Sequence, residues 1–271
     1  MNLNKFMSIA KMTENELFVS LYDYLQENNY NVHKDIGNHY MFAQGKSKTC
    51  LVAHLDIAFQ YPPKKFYRSK INKNVVTAST GLGADDRAGV YAIMALIDRG
   101  LRPSIIFTTG EEIGGMGAMA LIQDFPKIPI SADFLLEMDR KGKSQSVYYN
   151  CGNKEFETYI NSFGFTTYNG IFSDIYILAP AWDIAAVNVS IGYENEHTVK
   201  ERLNCKYLDL TIEKVNDIIL SESKYYNFQE DAEFTFLKNC FSCTTCSCDN
   251  CEILRDYESK GEASWLRKAL R

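Results

Sequence analysis

Three short, almost wholly apolar stretches frame this chain: residues 49–54, 104–109 and 132–138. Runs such as Leu51, Val52 and Ala53, or Ile105, Ile106 and Phe107, suit strands covered on both faces, as in a parallel sheet. Between and after them lie stretches of helical character. Residues 84–99 read as a helix closed by Gly100, residues 115–124 as another, and residues 207–222 as a long amphipathic one. Near the start, residues 13–27 carry Thr13 as N-cap with Glu16 three positions on, and Leu17, Leu21 and Leu25 recur on one face. Shorter strands are expected around 30–34, 39–43, 146–150, 165–168 and 186–191. Apolar strands alternating with helices predict an α/β fold, a three-layer α/β/α domain with a mostly parallel central sheet. In open sheets of that kind ligands bind beyond the carboxyl ends of the strands.

Those ends carry the chemistry. The first strand closes on His54 and Asp56, the third on Glu137 and Asp139. The second runs into Thr109, Gly110, Glu111 and Glu112. Neighbouring strand residues point to opposite faces, so a carboxylate pair at a strand end can serve two tasks: one holds a metal, the other takes a proton from a water. Asp85 and Asp86 open the helix that contains Gly89, and His197 follows the strand near 186–191. Each motif alone has an ordinary reading. An isolated Glu pair is usually an exposed turn, a lone strand-end histidine a packed residue, and an aspartate at a helix start a cap. Five together supply two histidines and three carboxylates, a donor set suited to a pair of zinc ions.

In this order, His-x-Asp, an Asp before a helix, Glu-Glu, Asp and His, the chain resembles the co-catalytic di-zinc exopeptidases over most of residues 13–225. That family includes bacterial leucyl aminopeptidases, peptidase T, glutamate carboxypeptidase and their deacylase relatives. The resemblance implies two Zn2+ ions. His54 and Asp139 would hold one, Glu112 and His197 the other, and Asp85 would bridge them. Asp85 is preferred to Asp86 because the family keeps this aspartate four residues before the helix glycine, here Gly89. Asp56 would orient His54, and Glu111 would be the general base. Glu137 is expected to face away from the site. Phe172, Ser173 and Asp174 resemble a segment near the family's substrate pocket, though an ordinary polar turn fits as well, and Tyr193 is a candidate oxyanion or substrate contact. Asp139 and His197 stand too close for the inserted second domain of the peptidase T-like members, so the chain is more similar to the compact single-domain aminopeptidases. The implied activity is hydrolysis of an amide bond in a peptide or small amide substrate. A deacylase using the same metals is the alternative, and an inactive hydrolase-fold adaptor acting through its cysteines is the rival of another class.

The cysteines divide unevenly. Cys50, Cys151 and Cys205 are scattered, whereas Cys240, Cys243, Cys246, Cys248 and Cys251 crowd the end. Apolar periodicity stops near residue 232, so a catalytic domain of residues 1–232 and a cysteine-rich tail of 233–271 are expected. Closely spaced Cys-x2-Cys pairs suit one further zinc held by thiolates, or a docking segment for a protein partner. Cys50 and Cys205 read as small buried apolar residues, and His33 and His39 as surface or packing histidines. A formal charge of −5 argues against a nucleic-acid-binding surface. No apolar run is long enough for a signal peptide or a membrane span, which with the cysteine pattern points to the cytoplasm.

Overall fold

The computed structural model describes residues 1–231. The 232/233 domain boundary, the five clustered cysteines and their zinc lie outside the described residues.

The chain opens with two helices, α1 (Leu3–Lys11) and α2 (Glu14–Glu27). Thr13 and Glu16 form the reciprocal capping box expected from the sequence. Strands β1 (Val32–Lys34), β2 (Tyr40–Ala43), β3 (Thr49–His54), β4 (Phe66–Arg68) and β5 (Val75–Ala78) precede helix α3 (Ala84–Asp98). Then come β6 (Ser104–Thr108), α4 (Met116–Asp124), β7 (Phe134–Arg140), β8 (Gln145–Val147), α5 (Lys154–Asn161), β9 (Thr166–Thr167) and α6 (Asp174–Ala181). The described part closes with β10 (Ala186–Ser190), β11 (Tyr193–Glu194), β12 (Arg202–Asn204) and α7 (Cys205–Leu220).

Eight strands form one sheet in the order β1-β2-β6-β3-β7-β10-β8-β9. The central four, β6-β3-β7-β10, run parallel, and β1, β2 and β8 add antiparallel pairings at the flanks. Register explains the layers. Leu51, Ile105, Leu136 and Val187 share one face and pack with Phe6, Leu21, Ile93, Phe156 and Val215, so α1, α2, α3, α5 and α7 cover that side. Cys50, Val52, Ile106 and Leu135 point the other way, onto Leu121 of α4 and Ile175 and Leu178 of α6. This is the three-layer α/β/α arrangement with a mostly parallel central sheet that the sequence predicts.

A second, four-stranded antiparallel sheet, β11-β12-β5-β4, was not legible in the sequence. Its strands are two to four residues long and partly exposed, too short for apolar alternation to register. Helices α1, α5 and α6 were not expected either. Helix α6 holds Pro180 in its body, ordinarily a helix breaker. No helix among the described residues is long and apolar enough to cross a membrane.

Candidate metal centre

The donors converge at the carboxyl ends of the central strands. His54 ends β3, fully buried, and Asp139 lies near the end of the adjacent β7. Asp85 stands at the start of α3, where Asp85 and Asp86 keep non-helical backbone angles and Gly83 is left-handed, φ 63°. That departure turns the Asp85 carboxylate out of the helix and toward the strand ends. His54 Nε2 is 3.1 Å from Asp85 Oδ1 and 3.6 Å from Asp139 Oδ1. Asp85 Oδ2 is 3.2 Å from His197 Nε2, which in turn is 2.9 Å from Glu112 Oε2. Two triads, His54–Asp85–Asp139 and Asp85–Glu112–His197, thus share one carboxylate and use one of its oxygens each.

These separations fit a pair of divalent ions. Ligands about 2.0–2.2 Å from one tetrahedral zinc stand about 3.3–3.6 Å apart, close to the 2.9–3.6 Å seen here. Glu112 Oε1 is buried with no hydrogen-bond partner, an orphan that a cation would satisfy. Charge points the same way. Burial alone would lower the His54 pKa, but Asp139, Asp56 and Asp85 outweigh it and hold it well above its ordinary value. Hydrogen bonds to Asp85 and Glu112 push His197 up to about 11. Burial and the neighbouring Asp85 push Asp139 up to about 8. In the metal-free protein the cluster keeps protons as its countercharge, and divalent ions would take their place.

Asp56 faces His54 Nδ1 at 3.2 Å, which leaves Nε2 turned toward Asp85 and Asp139. Its carboxylate also accepts the backbone N–H groups of Glu111 at 3.1 Å and Glu112 at 3.0 Å. The glutamate pair is therefore not on a strand. It lies beyond Thr108, the last residue of β6, in a turn carrying Gly110 at φ 71°. Anchoring to Asp56, rather than strand alternation, separates the two side chains. Glu112 reaches His197, while the Glu111 carboxyl has no hydrogen-bond donor among the described residues. Burial, with the fields of Asp139 and Asp174 working against that of His54, pushes Glu111 up to about 10.

Asp86 turns away from the triads and caps its own helix through the Gly89 N–H at 2.9 Å. Tyr193 is buried and donates its hydroxyl to Asp139, 3.0 Å to the carbonyl and 3.1 Å to Oδ1, so it steadies that residue. Glu137 does not face away. It shares the face of β7 with Leu135 and Asp139, two residues apart, and is fully buried below the centre in the field of Asp139 and Asp174. Asp174 is the first residue of α6, fully buried, and accepts a hydrogen bond from Thr108 Oγ1 at the end of β6, so it ties this segment to the strand that leads into the glutamate turn. His33 stacks on Phe42, and His39 pairs with Asp35 at 2.8 Å. Cys50 is buried, while Cys205 is only half-buried at the start of α7.

Sequence reasoning missed two supports. Asn188 on β10 grips the Asp139 backbone on both sides, accepting its N–H at 2.9 Å and donating to its carbonyl at 3.1 Å. Glu201, fully buried, accepts four backbone N–H groups: Leu82 at 3.0 Å, Gly83 at 2.7 Å, Ala84 at 2.8 Å and Asp85 at 3.1 Å. Burial pushes its carboxyl up to about 7 against the pull of those N–H groups. A cavity of about 440 Å³ opens beside Glu112 and His197, walled by Asp56, Glu14, Ile57 and Ile113.

No protein-family model matches the sequence, and no curated protein matches it. Solved structures do. Aminopeptidase PepT from Bacillus cereus aligns over 80% of this chain and 96% of that chain, at 17% identity and a TM-score of 0.63. A tripeptidase from Staphylococcus aureus aligns over the same shares at 17% identity and a TM-score of 0.65. A TET aminopeptidase from a marine sediment archaeon of the Thaumarchaeota covers 85% of this chain and 98% of its own, at 14% identity and a TM-score of 0.60. The chain shares the fold of these three peptidase structures.

Proposed function

We propose that this protein is a di-zinc exopeptidase, an aminopeptidase, that hydrolyses an amide bond with a water that two bound metal ions would activate. The observation that carries the reading is the Asp85 carboxylate, one oxygen toward His54 and the other toward His197, with Glu111 alongside. His54 and Asp139 would hold one ion, Glu112 and His197 the other, and Asp85 both. Bound there, the ions would acidify a water and polarise the scissile carbonyl.

The remaining work falls to the chain. Asp56 fixes the His54 ring and, through two N–H groups, the turn that carries Glu111 and Glu112. Glu111 is the general base. Its carboxyl accepts no hydrogen bond from the described residues, so it is available to take a proton from the attacking water and to deliver it to the leaving amine. Buried beside three carboxylates it holds its proton tightly, and positive charge in the two triads would bring it into the working range. Ile57 and Ile113 give the cavity apolar walls on which a substrate side chain can rest.

The test is metal content and turnover of the purified full-length protein on aminoacyl amides, di- and tripeptides and N-acylated amino acids. Two ions in the triads, besides the one expected in the cysteine tail, and cleavage of substrates with a free amino terminus are expected. Turnover of N-acyl substrates alone would move the assignment to a deacylase, and two bound ions without turnover of any would favour an inactive adaptor.

A further inference from the structure

The hairpin between β11 and β12 carries His197 in its loop and Glu201 at its base, directly before Arg202. Strand β12 pairs with β5, Arg202 opposite Thr77, and the chain leaving β5 runs through residues 79–83 to Asp85. The small sheet therefore brings Glu201 beneath the segment that presents Asp85. Its two oxygens divide the work: Oε2 takes the N–H groups of Leu82 and Gly83, Oε1 those of Ala84 and Asp85. Four consecutive N–H groups converging on one carboxylate form an anion nest. Here a side chain of the His197 hairpin fills it.

We infer that Glu201 is a positioning residue that locks the His197 hairpin to the Asp85 backbone, so that both metal positions are shaped together. The inference rests on the proposed roles of Asp85 and His197. Asp85 reaches both triads only while its backbone keeps the non-helical turn that opens α3. Regular helix geometry would swing the carboxylate away from at least one of them. Glu201 is the one carboxylate among the described residues bonded to that turn's four N–H groups. A group that only capped α3 would stabilise the fold and leave metal affinity untouched.

Glu201→Gln separates the two roles. The amide oxygen can serve one pair of N–H groups, but its NH2 meets the other pair donor to donor. Full-length, metal-free protein is titrated with Co2+, whose spectrum distinguishes nitrogen and oxygen ligands from any thiolates. Wild type should bind two ions through nitrogen and oxygen. His197→Ala should weaken one of them, whereas Glu201→Gln should weaken both, by about 10–100-fold, the usual effect of losing an outer partner of a ligand. Glu201→Asp, which keeps the charge but is too short to span both pairs, is titrated alongside in case the Gln variant folds poorly. Affinities within about twofold of wild type, or a loss confined to one ion, would overturn the inference. Fewer than two such ions in wild type would overturn the site reading itself, a result distinguishable from failure of Glu201 alone.

Discussion

The carboxylate of Asp56 accepts the backbone N–H of Glu112 at 3.0 Å. The same group accepts the Glu111 N–H and faces His54 Nδ1. One side chain thus joins a histidine on β3 to a turn following β6, two neighbouring parallel strands. Asp56→Asn would offer one acceptor where three contacts meet and would place an NH2 against a backbone N–H. Zinc affinity should fall by about 10–100-fold, measured by competition with a chelator, with turnover falling beside it.

The glutamate pair should separate by role. Glu111→Gln removes a base and no ligand, so both metals should stay while turnover drops by about 10²–10⁴-fold. Glu112→Gln removes the partner of His197, so metal content should fall. Elemental analysis with steady-state kinetics checks both, and the opposite pattern would reverse the assignment.

Metal-free protein should lose stability as pH rises. Glu111 goes from an ordinary 4.5 up to about 10, Asp139 from 3.8 up to about 8 and His197 from 6.5 up to about 11. All three hold protons more tightly folded than unfolded, so their stabilisation is full below the unfolded values and is lost on approach to the folded ones. Asp85, held below its ordinary value by His197 and His54 despite burial, acts only at acid pH. Between about pH 5 and 9 the melting temperature in chelator should therefore fall. With zinc it should fall less, because ions replace protons and bind better to deprotonated ligands. Parallel melting curves would show the gap widening with pH, and a constant gap would contradict the charge argument.

Gly89 is a contact point. A Cβ there would meet the Asp86 carboxylate at 2.5 Å and the backbone carbonyl of Met138 at 2.7 Å. Gly89→Ala should cost about 1–3 kcal/mol through overpacking, outweighing the roughly 1 kcal/mol that alanine offers a helix. Denaturant unfolding measures it, and a stabilised variant would refute the close approach of α3 to β7.

The cysteine cluster of residues 240–251 should bind one more zinc, with one of its five thiols dispensable. Residues 229–231 hydrogen bond back to Asn150 and Gly152, so a cut after residue 232 spares those contacts. Protein lacking 233–271 should stay folded, keep two ions and lose the third, read by metal analysis and circular dichroism. An unchanged count would make the cysteines redox or docking residues.

The architecture and the donors could be read from sequence for one reason: buried parallel strands are continuous apolar runs, and the polar residue ending each run stands out. His54 and Asp139 are of this kind. Glu111 and Glu112 were found, but their turn was not, since the bonds that shape it come from Asp56, 55 and 56 residues away. Asn188 and Glu201 left no local mark, because each acts on backbone groups distant in sequence. Strand period sets Glu137 on the face of Asp139 in β7, against the expectation that it faces away. The short strands β4 and β5 and the proline-bearing α6 lacked a periodic signal of their own.

The order of the sheet also makes the centre a clock. His54 meets Asp139 only once β3 has paired with β7, two strands with β4, β5, α3, β6 and α4 between them in sequence. Nonlocal pairing of this sort forms slowly, because loop closure must come before its reward. An unfolded chain has no such donors in place, so ion capture is tied to completed folding. In a refolding reaction, cobalt absorbance from nitrogen and oxygen ligands would rise with the final joining of β3 to β7, lagging the helical signal of α3 and α7.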